Sequence, residues 1–248
     1  MRSGWKTLRN AALIIAALIV LWQALYAWVG DAALASPLAT FRYTVRMVTG
    51  ETFGAHLYDT ARAFAIAFVF STAIGLAVGF WLGFDRTSGD VLEPMVAAVY
   101  AIPKLTLYPI LLLAFGLGVS AKVAFGVIHG VIPIILFTLA AVRSTRPILI
   151  KTGRVMKLNH SQMVRWILFP AAVPEIFTGL RVGFSLTLIG PLLAEMFASQ
   201  RGLGYLLMTG IGLHNIEQVM SVTLLVVVFA AAVSYLLLHI DHRLHRRV

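Results

Sequence analysis

The sequence predicts an all-α integral membrane protein with six transmembrane helices. Sixty per cent of its 248 residues are hydrophobic and the mean hydropathy is +0.89, whereas a soluble domain is roughly 45–50% apolar. A helix needs about 20 mostly apolar residues to cross a bilayer, and a β-barrel would show short alternating segments instead. The continuous apolar runs therefore predict spans at 11–29, 62–84, 92–115, 122–142, 176–197 and 219–240.

The net charge of +10 follows this topology. With the N-terminus inside, thirteen of the twenty basic residues lie on the inner face and five on the outer face. The inner stretches are 1–10, 85–91, 143–175 and 241–248. This excess agrees with the positive-inside rule. The basicity therefore gives no reason to expect a nucleic-acid partner, and both termini are expected in the cytoplasm. The chain has no cysteine, which excludes disulfides.

The first span could instead be a signal peptide, because Ala33-Leu34-Ala35 resembles a small-residue cleavage site. Its apolar run of 19 residues is longer than the usual signal-peptide core of about 7–15. Trp22, Tyr26 and Trp28 also suit a membrane interface. We therefore expect a retained helix.

The outer loop 30–61 is expected to be partly helical, and the second span follows it. In that span Gly75, Gly79 and Gly83 recur every four residues and leave one helix face without side chains. Such spacing lets a neighbouring helix approach closely. The same spacing recurs later, at Gly126, Gly130, Gly179 and Gly183.

The third span contains Pro94, Pro103 and Pro109, with Lys104 near its middle. Proline removes an amide donor and kinks a helix, so this span is predicted to be bent or discontinuous. Broken helices at membrane depth occur where the backbone faces protein or a water-filled cavity. An intramembrane lysine indicates function by default. Lys104 is therefore a candidate for the translocation pathway or a gate, and a snorkelling or structurally paired lysine is the alternative.

Two further ionisable residues lie in the spans. His129 in the fourth span is a pathway candidate, although a lone buried histidine is more often a hydrogen-bonded packing residue. Glu195 lies near the outer end of the fifth span, four residues after Pro191. It could pair with Lys104 or a loop cation, bind substrate, form part of a gate, or serve packing alone.

Between the fourth and fifth spans, the apolar pattern gives way to a basic segment that extends to Pro170. Asn159 followed by Gln162 predicts an N-cap with a capping-box partner. Met163, Trp166 and Ile167 follow at spacings that place them on one helix face.

We therefore expect a short helix with an apolar stripe that ends at Pro170. By itself such a helix could also lie on anionic lipid.

The order of motifs resembles the importer permeases of the ABC transporter superfamily. The inner motifs are Ile167-Leu168-Phe169-Pro170, Pro174 and Gly179-Leu180-Arg181, followed by Ala194-Glu195-Met196 and Gly202-Leu203-Gly204. Upstream motifs similar to the nitrate, sulfonate, taurine and thiamine-precursor branch are Ile102-Pro103-Lys104, Pro109, Phe115-Gly116-Leu117-Gly118 and Ser120-Ala121-Lys122. The resemblance covers roughly residues 56–240.

The resemblance implies the type I ABC importer permease fold, with an N-terminal helix and external loop (1–55), a permease core (56–240) and a basic cytoplasmic tail (241–248). It further implies a permease dimer, expected to be a homodimer of this chain, that works with two cytoplasmic ATPases and an external solute-binding protein. ATP and Mg would be bound by the ATPases, so we expect no enzymatic activity, cofactor or metal in this chain. The residues expected to couple it to the ATPase are Asn159, His160, Gln162, Met163, Arg165 and Trp166.

The basic segment departs from the family in one respect. The family usually has E-A-A, three residues and then glycine, whereas this chain has Lys151-Thr152-Gly153 and Lys157 at those positions. A carboxylate is thus replaced by a cation and a flexible turn position by a long side chain. The docking surface is expected to suit an ATPase of altered charge, or to couple more weakly.

The sequence contains no G-x-x-x-x-G-K-[ST] phosphate loop, no H-E-x-x-H and no G-x-S-x-G. The energy for transport must then come from another chain. The alternative is a self-sufficient secondary transporter or channel, in which Lys104 and Glu195 would carry coupling ions or form the filter. An integral membrane enzyme is disfavoured, because no clustered acid–base or metal constellation is present.

Overall fold

A computed structural model describes the backbone of residues 2–245 and the side chains of residues 9–10, 12–159 and 161–239. This part of the chain forms eleven α-helices, one 3₁₀ turn and one π turn. The helices are α1 (Arg2–Val29), α2 (Pro37–Val48), α3 (Phe53–Phe84), α4 (Arg86–Ala101), α5 (Tyr108–Phe115), α6 (Val119–Arg143), α7 (Pro147–Val155), α8 (His160–Met163), α9 (Phe169–Ala198), α10 (Leu203–Gly212) and α11 (Ile216–His245). The 3₁₀ turn is Lys104–Leu107 and the π turn is Val164–Leu168.

Five helices in the described part are long and apolar enough to cross a membrane, and a bent pair makes a sixth if counted as one span. The six predicted spans fall on α1, α3, the α4–α5 pair, α6, α9 and α11. The predicted break in the third span is confirmed. Its two halves meet at 85°, where Pro103 precedes the 3₁₀ turn and leaves no amide donor to continue α4.

Helices α3, α6 and α9 form the centre of the bundle, and glycines set their separation. Gly75, Gly79 and Gly83 of α3 all face α6; a Cβ on Gly79 would lie 2.5 Å from the Cβ of Thr138. Between α6 and α9, the Cα of Gly126 would lie 2.5 Å from a Cβ on Gly190. The small-residue packing predicted from sequence is confirmed. The glycines of α3 leave room for side chains of α6, and at the α6–α9 crossing the absence of side chains lets the two backbones touch.

Helix α1 lies largely apart from this bundle. Its apolar stretch Ala12–Val29 is 0% buried. Near its end, the indole Nε1 of Trp22 donates a hydrogen bond to the Ala35 carbonyl (3.0 Å), and the Tyr26 hydroxyl donates to Asp31 Oδ1 (2.8 Å). Polar side-chain contacts therefore tether one end of α1, and its apolar face is left for lipid or another chain to cover.

Helix continues without a break from Ser161 to Ala198, a run of 38 residues. The predicted stop at Pro170 is wrong. In the π turn the Phe169 amide donates to the Val164 carbonyl. Pro170, which has no amide to donate, follows in the first turn of α9. At about 1.5 Å per residue the run is about 57 Å long, whereas the hydrocarbon core is about 30 Å thick. The run is thus longer than the hydrocarbon core is thick, and its first turns carry the exposed Arg165; following the expected topology, we call this end of the bundle the inner end.

Candidate functional site

The inner end carries a helical hairpin, residues 147–168, formed by α7 and by α8 with the π turn. Its second arm begins with a reciprocal cap. The Asn159 amide donates to Gln162 Oε1 (2.9 Å), and the Gln162 amide donates to Asn159 Oδ1 (2.8 Å). The predicted capping box is therefore confirmed, and it satisfies two backbone donors that the first turn would otherwise leave free.

The two arms of the hairpin pack through Gly153. A Cβ there would lie 2.6 Å from Met163 Sδ and 2.7 Å from Ile167 Cδ1, so only glycine allows this contact without displacement. Trp166 instead is 71% exposed. Met163, Trp166 and Ile167 therefore do not share one helix face as predicted. Met163 and Ile167 face α7, whereas the wider π turn rotates Trp166 away from it.

Lys157 lies just after the C-cap of α7 and has a left-handed backbone, with φ at 53°. Its amide donates to the Arg154 carbonyl (3.0 Å), and the Leu158 amide donates to the Gly153 carbonyl (3.0 Å). This pair of bonds is a Schellman motif, whose left-handed position is usually glycine. The departure from the family glycine thus falls on a residue whose backbone conformation favours glycine, and the lysine adopts that conformation nonetheless.

The predicted coupling residues occupy different environments. Asn159, Gln162 and Arg165 are exposed together with Trp166, while Met163 is half-buried against α7. The side chain of His160 lies outside the described residues. The hairpin thus presents a mixed polar and apolar surface on the inner side.

A buried polar junction lies at the opposite, outer end of α9. Glu195 is 1% exposed and pairs with Lys122, which is 4% exposed, at 3.1 Å between Oε1 and Nζ. Glu195 Oε2 accepts from the Thr60 hydroxyl (2.7 Å) and the Gly204 amide (3.1 Å). The carboxylate is therefore compensated by one cation and two neutral donors.

The same junction holds the loop between α9 and α10. Lys122 Nζ also donates to the Arg201 carbonyl (3.0 Å), and the Leu203 amide donates to Thr60 Oγ1 (2.8 Å). Gly202 lies between them with φ at 121°, and a Cβ there would overlap the Glu195 carboxylate. Four segments, α3, α6, α9 and the loop into α10, are therefore joined through one ion pair.

Lys122 was the residue that sequence reasoning missed. The sequence places Lys122 among the outer basic residues and in the motif Ser120-Ala121-Lys122, but the named candidate partner of Glu195 is Lys104, with an unspecified loop cation as the alternative. The structure gives the partner as Lys122, 73 residues away in the chain. A signal existed, because Lys122 begins an apolar run, where an ionisable side chain needs a partner.

The other two predicted pathway residues are bonded locally. Lys104 Nζ donates to the Tyr100 carbonyl (2.9 Å) and lies 4.5 Å from the centroid of the Tyr100 ring. It therefore caps α4 at the 85° bend. His129 Nδ1 bonds the Phe125 carbonyl (2.8 Å), and its ring meets the Phe125 ring edge-to-face at 4.5 Å. Among the described contacts, Lys104, His129 and Glu195 form no hydrogen bond or ion pair with one another.

An outer cavity of about 580 Å³ borders the junction. Its lining includes Asp59, Lys122, Ser199 and Arg201. The ion pair is thus enclosed by protein but close to a polar opening on the outer side.

Comparisons with known proteins all point to membrane transport proteins. The profile of the family described as "Binding-protein-dependent transport system inner membrane component" matches residues 71–248. The chain is 27% identical to the putative aliphatic sulfonates transport permease protein SsuC of Bacillus subtilis over 212 residues, covering 84% of this chain and 75% of that protein. It is 30% identical to the nitrate import permease protein NrtB of Synechocystis sp. over 203 residues, with 78% and 74% covered.

Among solved structures, the fold is similar to a chain of the MetNI methionine ABC transporter in an inward-facing conformation. The TM-score is 0.65 at 18% sequence identity, and the match covers 76% of this chain and 94% of that chain. At this level of identity the likeness concerns the fold alone.

Proposed function

Because the chain belongs to the family of binding-protein-dependent transport system inner membrane components, we propose that it is the permease subunit of an ATP-driven importer in a bacterial inner membrane. It forms the translocation pathway as a dimer, and both termini lie in the cytoplasm. An external solute-binding protein delivers the substrate. ATP and Mg are bound by separate cytoplasmic ATPase subunits, and this chain binds no cofactor or metal.

The hairpin at residues 147–168 is the observation that carries the coupling role. It is a structured element, with a capping box at Asn159 and a glycine contact at Gly153. Its second arm is continuous with α9, a core helix of the bundle. An ATPase outside the membrane can drive transport only by moving an element that is continuous with the spans. A rigid hairpin on a 38-residue helix meets that requirement.

The substrate is a small solute of the sulfonate, nitrate, taurine or thiamine-precursor type, many of which are anionic. The names of two relatives, for aliphatic sulfonates and for nitrate, support this class. The external binding protein sets the choice among such solutes.

The test uses the chain purified in mild detergent with whatever ATPase co-purifies, reconstituted into proteoliposomes with the binding protein. ATP hydrolysis and solute uptake are measured for the wild type, Trp166→Asp and the matched control Trp166→Phe. We expect ATP-dependent uptake that Trp166→Asp abolishes, because a charge enters the exposed apolar contact, and that Trp166→Phe largely retains.

Two outcomes would change the proposal. If Trp166→Asp keeps the ATPase bound but stops transport, the residue acts in coupling rather than docking. If the chain takes up solute without ATP and purifies without an ATPase, it is a secondary transporter or channel.

A further inference from the structure

The hairpin carries a cluster of basic side chains that have no acidic partner among the described residues. Four cations of the hairpin, together with Arg146 next to it, make no ion pair with any described residue; the four are Lys151, Arg154, Lys157 and Arg165. No Asp or Glu occurs between residues 147 and 169. By contrast, Arg143 at the inner end of α6 pairs with Asp90 (2.8 Å) and Glu93 (2.9 Å). The bundle thus neutralises the neighbouring cation and leaves those of the hairpin unpaired.

Large apolar side chains lie among these cations. Val155 is 82% exposed, Met156 65% and Trp166 71%. Exposed aromatic side chains and Met among charged residues are typical of protein–protein contacts, in which such apolar side chains anchor the core and charged ones lie at the rim.

The orientation of the hairpin favours a protein over a lipid surface. A helix that binds lipid headgroups lies in the plane of the interface. Here the second arm is continuous with α9 in a run of about 57 Å, nearly twice the hydrocarbon thickness of about 30 Å. The hairpin therefore projects away from the bilayer into the aqueous phase, where a cytoplasmic protein meets it.

We propose that the hairpin docks into an ATPase cleft whose rim is acidic and whose floor is apolar. This inference rests on the proposed function and adds the chemistry of the partner. Carboxylates on the ATPase face Lys151, Arg154 and Arg165, and Trp166 enters the apolar floor. Complementary charge sets the choice of ATPase: a subunit with a basic rim is rejected by like-charge repulsion.

The binding test places the permease in nanodiscs of neutral phosphatidylcholine and, in parallel, in nanodiscs that also contain phosphatidylglycerol. It uses the ATPase subunit identified in the native complex, purified alone. The dissociation constant is measured at NaCl concentrations from about 50 to about 400 mM. Higher salt weakens contacts between exposed charges, because the Debye length is about 10 Å at 0.1 M and falls as salt rises. The variants are Lys151→Glu, a triple Lys151→Glu/Arg154→Glu/Arg165→Glu, and Arg86→Glu as a control. Arg86 is an exposed inner cation on α4, outside the hairpin.

We expect wild-type binding to weaken as salt rises. The triple variant should bind at least about 10-fold more weakly at low salt and lose that salt dependence, because rim charges act on association and its salt sensitivity. Arg86→Glu should bind like the wild type. Restoration of Lys151→Glu binding by an Asp→Lys or Glu→Lys change on the ATPase rim would identify the contact.

Three results would overturn the inference. If the dissociation constant changes neither with salt nor with charge reversal, the ATPase has no acidic rim at this contact, and the importer assignment stands. If no ATPase subunit binds the wild-type permease, the proposed function is wrong as well. If the charge reversals act only in nanodiscs that contain phosphatidylglycerol, the hairpin recognises anionic lipid rather than the ATPase.

Discussion

The buried pair of Lys122 and Glu195 provides the sharpest test of how the outer end is held together. We compare Lys122→Met, Glu195→Gln and the double variant, since each substitution keeps the approximate volume while removing a charge. In Lys122→Met the carboxylate, with its side chain 0% exposed, retains only the hydroxyl of Thr60 and the amide of Gly204 as donors. In Glu195→Gln the ammonium group loses its only described counter-charge.

Breaking a buried ion pair from one side costs about 3–5 kcal/mol, because an uncompensated charge stays buried. Replacing both partners by neutral groups of similar volume is often close to neutral. Each single variant should therefore lose about 3–5 kcal/mol, which corresponds to about 6–20 °C in Tm for a chain of this size. The double variant should recover most of that loss. The coupling energy between the two sites should be at least about 2 kcal/mol.

The free energy of unfolding is measured by equilibrium titration of the detergent-solubilised chain with sodium dodecyl sulfate, followed by circular dichroism. Lys104→Met serves as the control, because Lys104 is bonded only to Tyr100 at the bend. The reasoning fails if both single variants stay within about 1 kcal/mol of the wild type and their effects add, since exposed pairs behave that way.

Three other substitutions test separate features by the same unfolding titration. Gly202→Ala should destabilise by about 2 kcal/mol or more, because φ is 121° and the new Cβ would overlap the carboxylate of Glu195; wild-type stability would contradict this. Gly79→Val should lower the free energy of unfolding by several kcal/mol through the clash with Thr138, and an unchanged free energy of unfolding would mean that α3 and α6 can separate freely. Lys157→Gly should stabilise by up to about 1 kcal/mol, because it removes left-handed strain at φ 53°, whereas Lys157→Ala should give no such gain.

Local sequence patterns predicted the features that depend on neighbouring residues. The apolar runs located the spans, and the spacing of Gly75, Gly79 and Gly83 predicted the face that meets α6. Asn159 and Gln162 predicted the capping box, because its partners are three residues apart. In each case all the residues that define the pattern lie within a few turns of one helix.

Features that depend on distant residues or on a shift in helix register were not predictable in this way. The ion pair joins residues 73 positions apart, and apolar periodicity carries no information about which buried charges meet. The stop expected at Pro170 was wrong, because the preceding π turn changes which carbonyl each amide reaches. The left-handed backbone of Lys157 is disfavoured by its own side chain, although the resemblance places the family's glycine at this position. The surrounding Schellman hydrogen bonds hold the lysine in that conformation.

The unbroken run from Ser161 to Ala198 has a mechanical consequence. The hairpin lies at one end and Glu195 near the other, separated by about 51 Å of continuous helix. A tilt of about 10° about the helix midpoint displaces each end by about 4 Å, which exceeds the 3.1 Å span of the ion pair. Either the pair separates or α6 travels with α9, and the glycine contact of Gly126 with Gly190 holds those two helices together. A displacement of the hairpin would thereby be carried along one continuous helix to the loop that holds Gly202, at the opposite end of α9.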